Sequence, residues 1–414
     1  MKKYDSYKDS GIEWIGEIPE HWAVSRIKYY LDYQKGKNPK EINFDKGSTS
    51  EIYLAMDFLR GEPRQILYVD DTDGYVKVDE NEILLLWDGS NAGEFILSKR
   101  GILSSTMAVI YLDNIKKRYS WYYLKNFEPR LKENTIGMGI PHVNGEELKN
   151  GYITIPPISE QTAIAYFLDR KTSEIDDIIA DKKRLLELYE EEKTAIINQA
   201  VTKGLDPNAP IKDSGIEWLG EIPEHWEVKK VKWVHQTTSG GTPKTSDPEN
   251  YDGHIPWLRT LDLNNDNVYD FEIQITEKAL SESSAKVVPA NSVLVAMYGG
   301  AGTIGKSGLL KFNAAINQAI CAILPNGITI PEYLHYFVIF FRPYWMVGAE
   351  GTRRDPNISQ DDIKNKEFIF PPIQEQQSIV HHIESECSKI DFKKARTEEL
   401  IELLTEYRTA LISE

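Results

Sequence analysis

The chain has 414 residues, 41% hydrophobic and 27% charged, a balance typical of a globular protein with two or three domains. Its net charge of −16, with neither half basic overall, excludes a DNA-binding surface spread over the whole molecule and leaves only local clusters of Lys and Arg, helped by a partner. Apolar runs are too short for a transmembrane helix, and Met1–Ser6 lack a signal-peptide core. Cys321 and Cys387 are too few for a disulfide framework, so we expect a cytoplasmic protein.

Two motifs occur twice in the chain. Residues Lys8–Trp22 recur as Lys212–Trp226 with one difference, Ile15 against Leu219. Residues Ile155–Gln161 match Phe370–Gln376, and the match continues into the segments that follow. The stretches between these anchors, 23–154 and 227–369, barely resemble each other. The pattern predicts an internal duplication in which a common frame carries two different fillings.

The fillings are predicted to be mixed α/β. In chain order, the apolar runs 82–87 and 107–111 predict buried strands, and the aromatic-rich segment 119–127 predicts a core helix. Strands at 292–298 and 319–324 and a helix at 332–341 are predicted in the second copy. Asp73-Gly74 predicts a hairpin turn, an interpretation we favour over a calcium loop because no helices are predicted to flank it.

A long helix is predicted to follow each filling. Residues 159–202 contain neither Gly nor Pro, and apolar residues recur at helical spacing from Ile164 to Ile196. The second copy runs from Gln374 to the chain end. Each helix would be about 60 Å long. Two independent amphipathic helices would fit this pattern, but one antiparallel coiled-coil pair is favoured, because like frames would pair through related apolar seams.

A glycine-rich segment, Gly300–Ser307, satisfies the nucleotide-binding P-loop pattern and follows a predicted strand. A phosphate cradle also needs a helix immediately afterwards, but Gly308 follows at once. A connection between strands is therefore the favoured interpretation, and a nucleotide-binding enzyme is the weaker alternative. The repeated His21 and His225 are expected to have structural roles, and no catalytic constellation or metal-ligand spacing is apparent.

The duplicated Gly-Ile-Glu-Trp-(Ile/Leu)-Gly-Glu-Ile-Pro-Glu-His-Trp motif, each copy followed by a variable segment and Pro-Pro-Ile-x-Glu-Gln, resembles the specificity subunit of Type I restriction–modification systems. The segments Tyr251–Leu258 and Asn317–Ile320 also resemble variable-domain motifs of that family. The resemblance covers residues 8–203 and 212–414, nearly the whole chain.

The resemblance implies an α+β fold with two α/β target-recognition domains, a spacer of two long antiparallel helices and a pseudo-twofold internal repeat. The expected boundaries are 1–155 and 206–370 for the target-recognition domains, and 156–205 and 371–414 for the spacer helices. It also implies a non-catalytic subunit that recognises a bipartite, asymmetric double-stranded DNA target and binds two methyltransferase subunits and restriction subunits. No cofactor is expected on this chain, because S-adenosylmethionine, ATP and magnesium belong to the partner subunits, and no membrane association is expected.

Arg, Lys, Asn, Gln, Ser and Thr side chains in polar loops are candidate DNA contacts, since these side chains contact bases and phosphates. The candidates in the first filling are Lys35, Lys37, Arg60, Arg64, Asn91, Lys99, Arg100, Lys132 and Asn134. Those in the second filling are Thr242, Lys244, Thr245, Arg259, Tyr298, Lys306, Arg353, Arg354 and Asn357. For any one of them, an ordinary solvated surface charge is an equally good explanation. A coiled-coil adaptor with two peptide-binding domains is the alternative to a DNA-recognition subunit.

Overall fold

The computed structural model describes residues 4–61, 63–137, 139–299, 302–346 and 357–413. The chain divides into two compact units, Met1–Lys182 with Leu400–Glu414, and Lys183–Glu399. Within the described ranges, every helix is too short or too polar to cross a membrane. We refer to these parts as the first and second units.

The first unit contains strands and helices from residue 7 onward. Its strands are β1 (Tyr7–Asp9), β2 (Glu17–Pro19), β3 (Ala23–Arg26), β4 (Leu31–Lys35), β5 (Glu51–Leu54), β6 (Tyr68–Val69), β7 (Lys77–Val78), β8 (Ile83–Leu86), β9 (Phe95–Leu97), β10 (Gly101–Leu103), β11 (Met107–Leu112) and β12 (Tyr152–Ile155). Its helices are α1 (Met56–Leu59), α2 (Lys117–Glu133), α3 (Gly145–Asn150) and the first part of α4 (Ile158–Lys203), with a 3-10 turn at Ile27–Tyr29.

The second unit follows the same order. Its strands are β13 (Ile211–Asp213), β14 (Glu221–Pro223), β15 (Glu227–Lys230), β16 (Thr237–Ser239), β17 (Tyr251–Leu258), β18 (Asp266–Val268), β19 (Ile273–Ile275), β20 (Lys286–Val288), β21 (Val293–Ala296), β22 (Ser307–Leu310), β23 (Ala314–Ile316), β24 (Ile320–Ile323) and β25 (Glu367–Phe370). Its helices are α5 (Val231–Val234), α6 (Glu277–Glu282), α7 (Pro331–Phe341), α8 (Gln360–Asn365) and the first part of α9 (Ile373–Ser413). The 3-10 turns are Pro248–Asn250, Thr260–Asp262 and Arg342–Met346.

The two fillings have one topology although their sequences barely resemble each other. The first unit has a sheet with strand order β4-β11-β8-β9, and the second has the corresponding order β16-β24-β21-β22, extended by β18. A further sheet has the order β6-β5-β10-β7 in one unit and β19-β17-β23-β20 in the other. Its central pairs, β5 with β10 and β17 with β23, are both parallel. The predicted α+β fold with an internal repeat is confirmed.

Apolar strands and one aromatic helix form the core of each unit. Every residue of β8 and of β21 is buried, as their uninterrupted apolar sequences predict. The aromatic helix packs against this sheet, through Phe127 of α2 in the first unit and Phe337 of α7 in the second. The predicted strands and the second core helix therefore agree with the structure to within two residues at their ends, whereas α2 continues six residues beyond its predicted end at Phe127.

The repeated motifs contact each other within each unit. In the first unit, Trp22 Nε1 donates to Glu160 Oε2 at 2.9 Å, and His21 Nε2 lies 2.7 Å from Glu160 Oε1. In the second, Trp226 Nε1 donates to Glu375 at 2.8 Å, and His225 Nε2 is 2.5 Å from it. The carboxylate therefore fastens the start of each long helix to the His-Trp pair of the preceding motif.

The glutamine of each Pro-Pro-Ile-x-Glu-Gln motif makes a second repeated link. Gln161 Oε1 accepts from the backbone N–H of Lys116 at 2.9 Å, just before α2. Gln376 makes the same bond to Ile330, just before α7, at 2.8 Å. Both glutamines are buried. The repeated sequence is thus explained by contacts that join the long helix to the core helix.

The long helices α4 and α9 have 46 and 41 residues, or about 70 and 60 Å. Pro156-Pro157 and Pro371-Pro372 directly precede them. Helix α4 ends at Gly204, whose φ of +74° favours glycine and whose N–H donates to the Ala200 carbonyl.

Ion pairs join the two helices within each unit. In the first unit, Arg408 Nε is 2.7 Å from Asp176 Oδ1. In the second unit, Lys394 contacts Glu190 at 2.6 Å, and Lys193 contacts Asp391 at 2.7 Å. Residue numbers rise along one helix as they fall along the other, so the helices are antiparallel. The pairs Asp176–Arg408 and Asp391–Lys193 occupy equivalent positions of the repeat.

One turn prediction was wrong, and one loop prediction was confirmed. Gly74 lies in a turn with φ +76°, but the flanking β6 and β7 do not pair with each other, so the turn is not a hairpin. The segment before Ser307 connects β21 to β22, which pair antiparallel through Val295 and Ser307. Because a strand rather than a helix follows Lys306, no helix N-terminus is present there to hold a phosphate.

Candidate nucleic-acid interface

Polar side chains gather where β4 and β10 of the first unit end. The chain leaves β4 after Lys35 and passes Ser104 so closely that a Cβ at position 36 would collide with the Ser104 carbonyl. Gly36 therefore allows the next residues to lie beside the end of β10. There, the Ser105 hydroxyl donates to Asn38 Oδ1 at 2.7 Å. Lys37, another predicted contact, directly precedes Asn38 in the chain and is exposed.

An aromatic platform supports these polar groups. Tyr33 and Trp87 stack with ring centroids 5.2 Å apart, and Lys35 Nζ lies 4.2 Å from the Trp87 centroid. The ammonium is held by a cation–π contact, and none of the ion pairs among the described residues involves it, so its positive charge is available at the surface. Beside the platform, His142 Nδ1 lies 2.6 Å from Asp88 Oδ1, and both side chains are partly exposed.

The same place in the second unit carries different side chains. A Cβ at Gly240 would collide with the Ile316 carbonyl, so glycine is again needed where the chain leaves the sheet. The Thr242 hydroxyl then donates to Gln318 Oε1. Burial raises the pKa of the neighbouring Tyr298 phenol, and contact with Gln318 partly offsets this. The phenol is therefore neutral at physiological pH and can both donate and accept hydrogen bonds.

Backbone bonds show that the two places are equivalent. The Trp87 N–H donates to the Thr106 carbonyl at 2.8 Å, and the Met297 N–H donates to the Ala319 carbonyl at the same distance. We call each place the polar edge of its unit. Its equivalent positions are Lys35 and Ser239, Asn38 and Thr242, Asp88 and Tyr298, Ser105 and Gln318, and His142 and Asn357. One backbone thus presents two different sets of hydrogen-bonding groups.

Other predicted contacts of the first unit surround α1. Lys99 Nζ donates to the Phe58 carbonyl at 2.8 Å and lies 4.6 Å from the Phe58 ring centroid. Arg60 pairs with Glu94 at 3.0 Å, and Arg100 is exposed. Because Lys99 and Arg60 already have partners, they hold the local structure and would have to exchange those partners to bind phosphate.

The remaining candidates of the first unit are dispersed. Arg64, Asn91 and Asn134 are exposed, and the Asn134 amide donates to a backbone carbonyl of α2. Lys132 donates to Glu128 at 2.6 Å. The structure does not bring these residues to the polar edge through any described contact.

In the second unit, Lys244 and Thr245 are exposed just beyond Thr242 and extend the polar edge. Arg259 is half-buried and bonds Glu272 at 2.8 Å, and Lys306 is half-buried in the β21–β22 connection. Arg353 and Arg354 lie outside the described residues. Among the residues that are described, no cluster of His, Cys, Asp and Glu could hold a metal ion.

Comparison with known proteins identifies the family. The model of the Type I restriction modification DNA specificity domain matches residues 19–188 and 223–402, one match for each copy of the repeat. The chain belongs to the Type I restriction–modification DNA specificity family. This family supplies DNA-recognition components, so the chain is a specificity subunit and not an enzyme.

Relatives of the whole chain support the family assignment. The chain is 30% identical over 393 residues to the Type I restriction enzyme MjaVIII specificity subunit of Methanocaldococcus jannaschii, covering 92% of this chain and 90% of that protein. A structure from a study of assembly and conformational transition in the type I restriction–modification system matches with a TM-score of 0.70, 15% identity and coverage of 95% and 97%. The HsdS subunit of Thermoanaerobacter tengcongensis matches with a TM-score of 0.54, 16% identity and coverage of 95% and 96%. At these identities, the structural matches establish the fold alone.

Within this specificity subunit, sequence reasoning missed part of the polar edge. Lys35, Thr242, Tyr298 and Asn357 were selected, but Asn38, Ser105 and His142 were not. Gln318 is part of the Asn317–Ile320 segment, which the sequence marks only through its family resemblance. Aligning the two fillings by predicted strand order would have pointed to these positions. Whether any of these residues contacts DNA stays a prediction.

Proposed function

We propose that the chain recognises a bipartite, asymmetric double-stranded DNA target, with one half-site read by each polar edge. The main support is that equivalent backbone positions in the two units present different hydrogen-bonding groups. Asn38 and Ser105 in the first unit correspond to Thr242 and Gln318 in the second. Direct reading of bases depends on the pattern of donors and acceptors presented to the groove. Two unlike patterns on one fold fit two unlike half-sites.

The antiparallel α4–α9 pair is proposed to set the number of unread base pairs between the half-sites. Both helices contribute residues to both units, and each unit holds them together by an equivalent ion pair. Each helix start is fastened to its unit by Glu160 or Glu375. A helical connection that is fastened at both ends favours a fixed gap over a variable one.

The chain is further proposed to act as a scaffold in the cytoplasm for two methyltransferase subunits and for restriction subunits. S-adenosylmethionine would then be bound by the methyltransferase, and ATP and magnesium by the restriction subunit. Positive charge on these partners would compensate for the net charge of −16 on this chain when DNA is bound.

The test is to lengthen both helices and map the methylated sites. Four residues would be inserted between Arg184 and Leu185 and, at the equivalent place, between Glu399 and Leu400. Each insertion adds about 6 Å of helix, close to two base pairs of DNA. We expect methylome sequencing of cells with the cognate methyltransferase to show both half-sites unchanged and a longer gap. An unchanged gap would contradict the proposed role of the helices.

A further inference from the structure

The first unit has an open groove at the place where the second unit has a closed core. The groove has a volume of about 610 Å³ and is lined by residues of the Lys8–Trp22 motif, of α2, of α4 and of the end of α9. Its apolar wall includes Ile15, Ile18, Trp22, Ile164 and Leu168. Trp22 is only half-buried there, whereas the equivalent Trp226 of the second unit is fully buried. The same frame therefore packs differently in the two units.

The last turn of α4 closes this place in the second unit. Ala200 and Val201 of that turn are buried in the core cluster of the second unit. Five other members of that cluster are the repeat equivalents of the five groove residues, at the offsets of 204 and 215: Leu219, Ile222, Trp226, Ile379 and Ile383. The apolar wall of the groove therefore corresponds to the residues that form one core cluster with Ala200 and Val201.

Two further contacts hold this turn in the second unit. Gly204 lies so close to Trp226 that a Cβ would be 3.1 Å from the indole ring, and its φ of +74° ends the helix. The Lys203 ammonium donates to the Glu221 carbonyl. The equivalents of Trp226 and Glu221 in the first unit both lie on the wall of the groove. The groove thus presents the counterparts of the residues that hold the turn.

Helix α9 reaches the groove of the first unit. Residues 411–413 lie on its wall, and at the offset of 215 they correspond to residues 196–198 of α4. In α4, these residues lead directly into the turn that contains Ala200 and Val201. One further turn on α9 would therefore correspond to the turn that closes the core of the second unit.

The polar groups of the groove disfavour a phosphate ligand. Glu17 and Glu160 both lie on its wall, and their carboxylates would repel a phosphate. The Glu160 carboxylate already accepts hydrogen bonds from the Tyr4 hydroxyl and from Trp22 Nε1, both at 2.9 Å. Apolar side chains need no hydrogen bonds from these groups, and their burial against the indole ring is favourable. An apolar helical turn is therefore the better match for this surface.

We propose that the groove of the first unit is a seat for one further helical turn on α9 with the chemistry of residues 200–204, which combine two small apolar side chains, a lysine and a glycine. The occupant is a continuation of α9 and not a separate molecule, because residues 411–413 bring that helix to the groove at the positions equivalent to 196–198. The turn would bury Trp22 as Trp226 is buried, and would fasten the end of α9 to the Lys8–Trp22 motif.

The test extends the full chain by the five residues Ala-Val-Thr-Lys-Gly after Glu414. Hydrogen exchange in β1–β3, measured by mass spectrometry, should slow by about tenfold, because the added apolar residues cover Trp22 and Ile18. The matched control is the extension Asn-Asp-Thr-Lys-Gly, which has the same length and ending but lacks the apolar pair, and it should leave exchange unchanged. Unchanged exchange with the first extension, or equal slowing with both, would overturn the proposal.

The second unit supplies the reciprocal variants. Val201→Ala should speed exchange in β13–β15, and Val201→Asp should speed it further, by about tenfold or more, because a charge would enter the cluster around Trp226. Exchange in β1–β3 should not change in either variant. Unchanged exchange in β13–β15 would contradict the proposal, since Val201 would then not be what closes the core of the second unit.

A free peptide of residues 193–204, added to the full chain, separates the two sources of such a turn. Slower exchange in β1–β3 with the peptide but not with the extension would overturn the assignment to α9 and indicate a segment of another chain. None of these measurements involves DNA, so their failure would leave the proposed function intact.

Discussion

The frame and the polar edge of this specificity subunit differ in what the duplication has preserved. In the frame, side chains and contacts are repeated together: the His-Trp pair bonds a glutamate in both units. At the polar edge the backbone bonds are repeated but the side chains are not, as Asp88 and Tyr298 show. Side chains that are the same in both copies therefore lie where secondary-structure elements contact each other. Positions with the same backbone but different side chains form the surface proposed to read DNA.

The comparison also exposes one difference within the frame. Trp226 is fully buried, in a core cluster with Ala200 and Val201 from the last turn of α4. Trp22 is only half-buried and lines a groove of about 610 Å³ with Ile18, Leu168 and Leu411. The same residue in the same motif thus has two packing environments, although its bond to glutamate is the same.

Truncating these tryptophans should give the largest effect and separate packing from the shared hydrogen bond. Trp226→Ala removes a fully buried ring and should lower the free energy of unfolding of the second unit by about 3–5 kcal/mol. Trp22→Ala loses the same bond but less packing and should cost about half as much. Hydrogen exchange in β13–β15 and in β1–β3 measures the two losses, and equal losses would show that the bond, and not burial, dominates.

Exchanging one polar-edge pair should change base preference in one half-site. The double variant Thr242→Asn with Gln318→Ser gives the second unit the groups found at Asn38 and Ser105. We expect a shift in preference at one or two base pairs of one half-site, corresponding to about 1–3 kcal/mol, with the other half-site unchanged. Methylome sequencing reports both half-sites in one experiment, so the half-site whose preference should not change serves as an internal control. Unchanged preference in both would remove this pair from the reading surface.

Glu160 should contribute a pH-dependent part of the stability of the first unit. Burial raises its pKa, but hydrogen bonds from Trp22, His21 and Tyr4 outweigh this and hold the pKa below its usual value. A carboxylate with a lowered pKa stabilises the fold above its unfolded-state pKa, and this stability is lost as the pH falls through the lowered value.

Glu160→Gln should therefore flatten the dependence of the melting temperature on pH below about pH 4.5, the ordinary glutamate value. The side chain is partly exposed, so the effect should be no more than about 1 kcal/mol. The exposed helix residue Glu192 provides a control as Glu192→Gln, which should leave the profile as in the wild type. If the melting temperature of Glu160→Gln depended on pH in the same way as that of the wild type, the hydrogen-bonded carboxylate would not be the source of the pH dependence.

The ion pairs between α4 and α9 should give the smallest effect. Asp176→Arg or Arg408→Asp alone should destabilise the first unit by less than about 1 kcal/mol, because both side chains are substantially exposed. The charge-swapped double variant should recover most of the loss. A double-mutant cycle by chemical unfolding measures the coupling, and the equivalent pair Asp391–Lys193 should give a similar value. Zero coupling in both units would show that these two ion pairs do not help to join the helices.

Local sequence patterns predicted much of this fold because they report directly on burial and backbone geometry. Uninterrupted apolar runs were sufficient to predict the buried strands β8 and β21. The helical spacing of apolar residues was sufficient to predict α4. The hairpin at Asp73-Gly74 failed because a turn signal shows that the chain bends but not which strands pair, and β5 and β10 separate β6 from β7 in the sheet. Strand order depends on long-range contacts, which a local pattern does not contain.

The polar edge was predicted only in part for the same reason. Basic residues such as Lys35 can be selected by charge, but Asn38, Ser105 and Gln318 are ordinary polar residues in a single sequence. They become notable only when the strands bring them together and the second unit places different groups at the same positions. Conversely, Lys99 and Arg60 fitted the charge criterion but already hold partners within the fold.

The most direct test of two unlike readers on one repeated frame is to make the readers alike. Residues 227–369 would be replaced by a second copy of residues 23–154, with the motifs and both long helices kept. The account predicts that, with the cognate methyltransferase, methylome sequencing will show a palindromic target made of the first half-site and its inverted copy, separated by the original gap. Retention of the original asymmetric target would contradict the account.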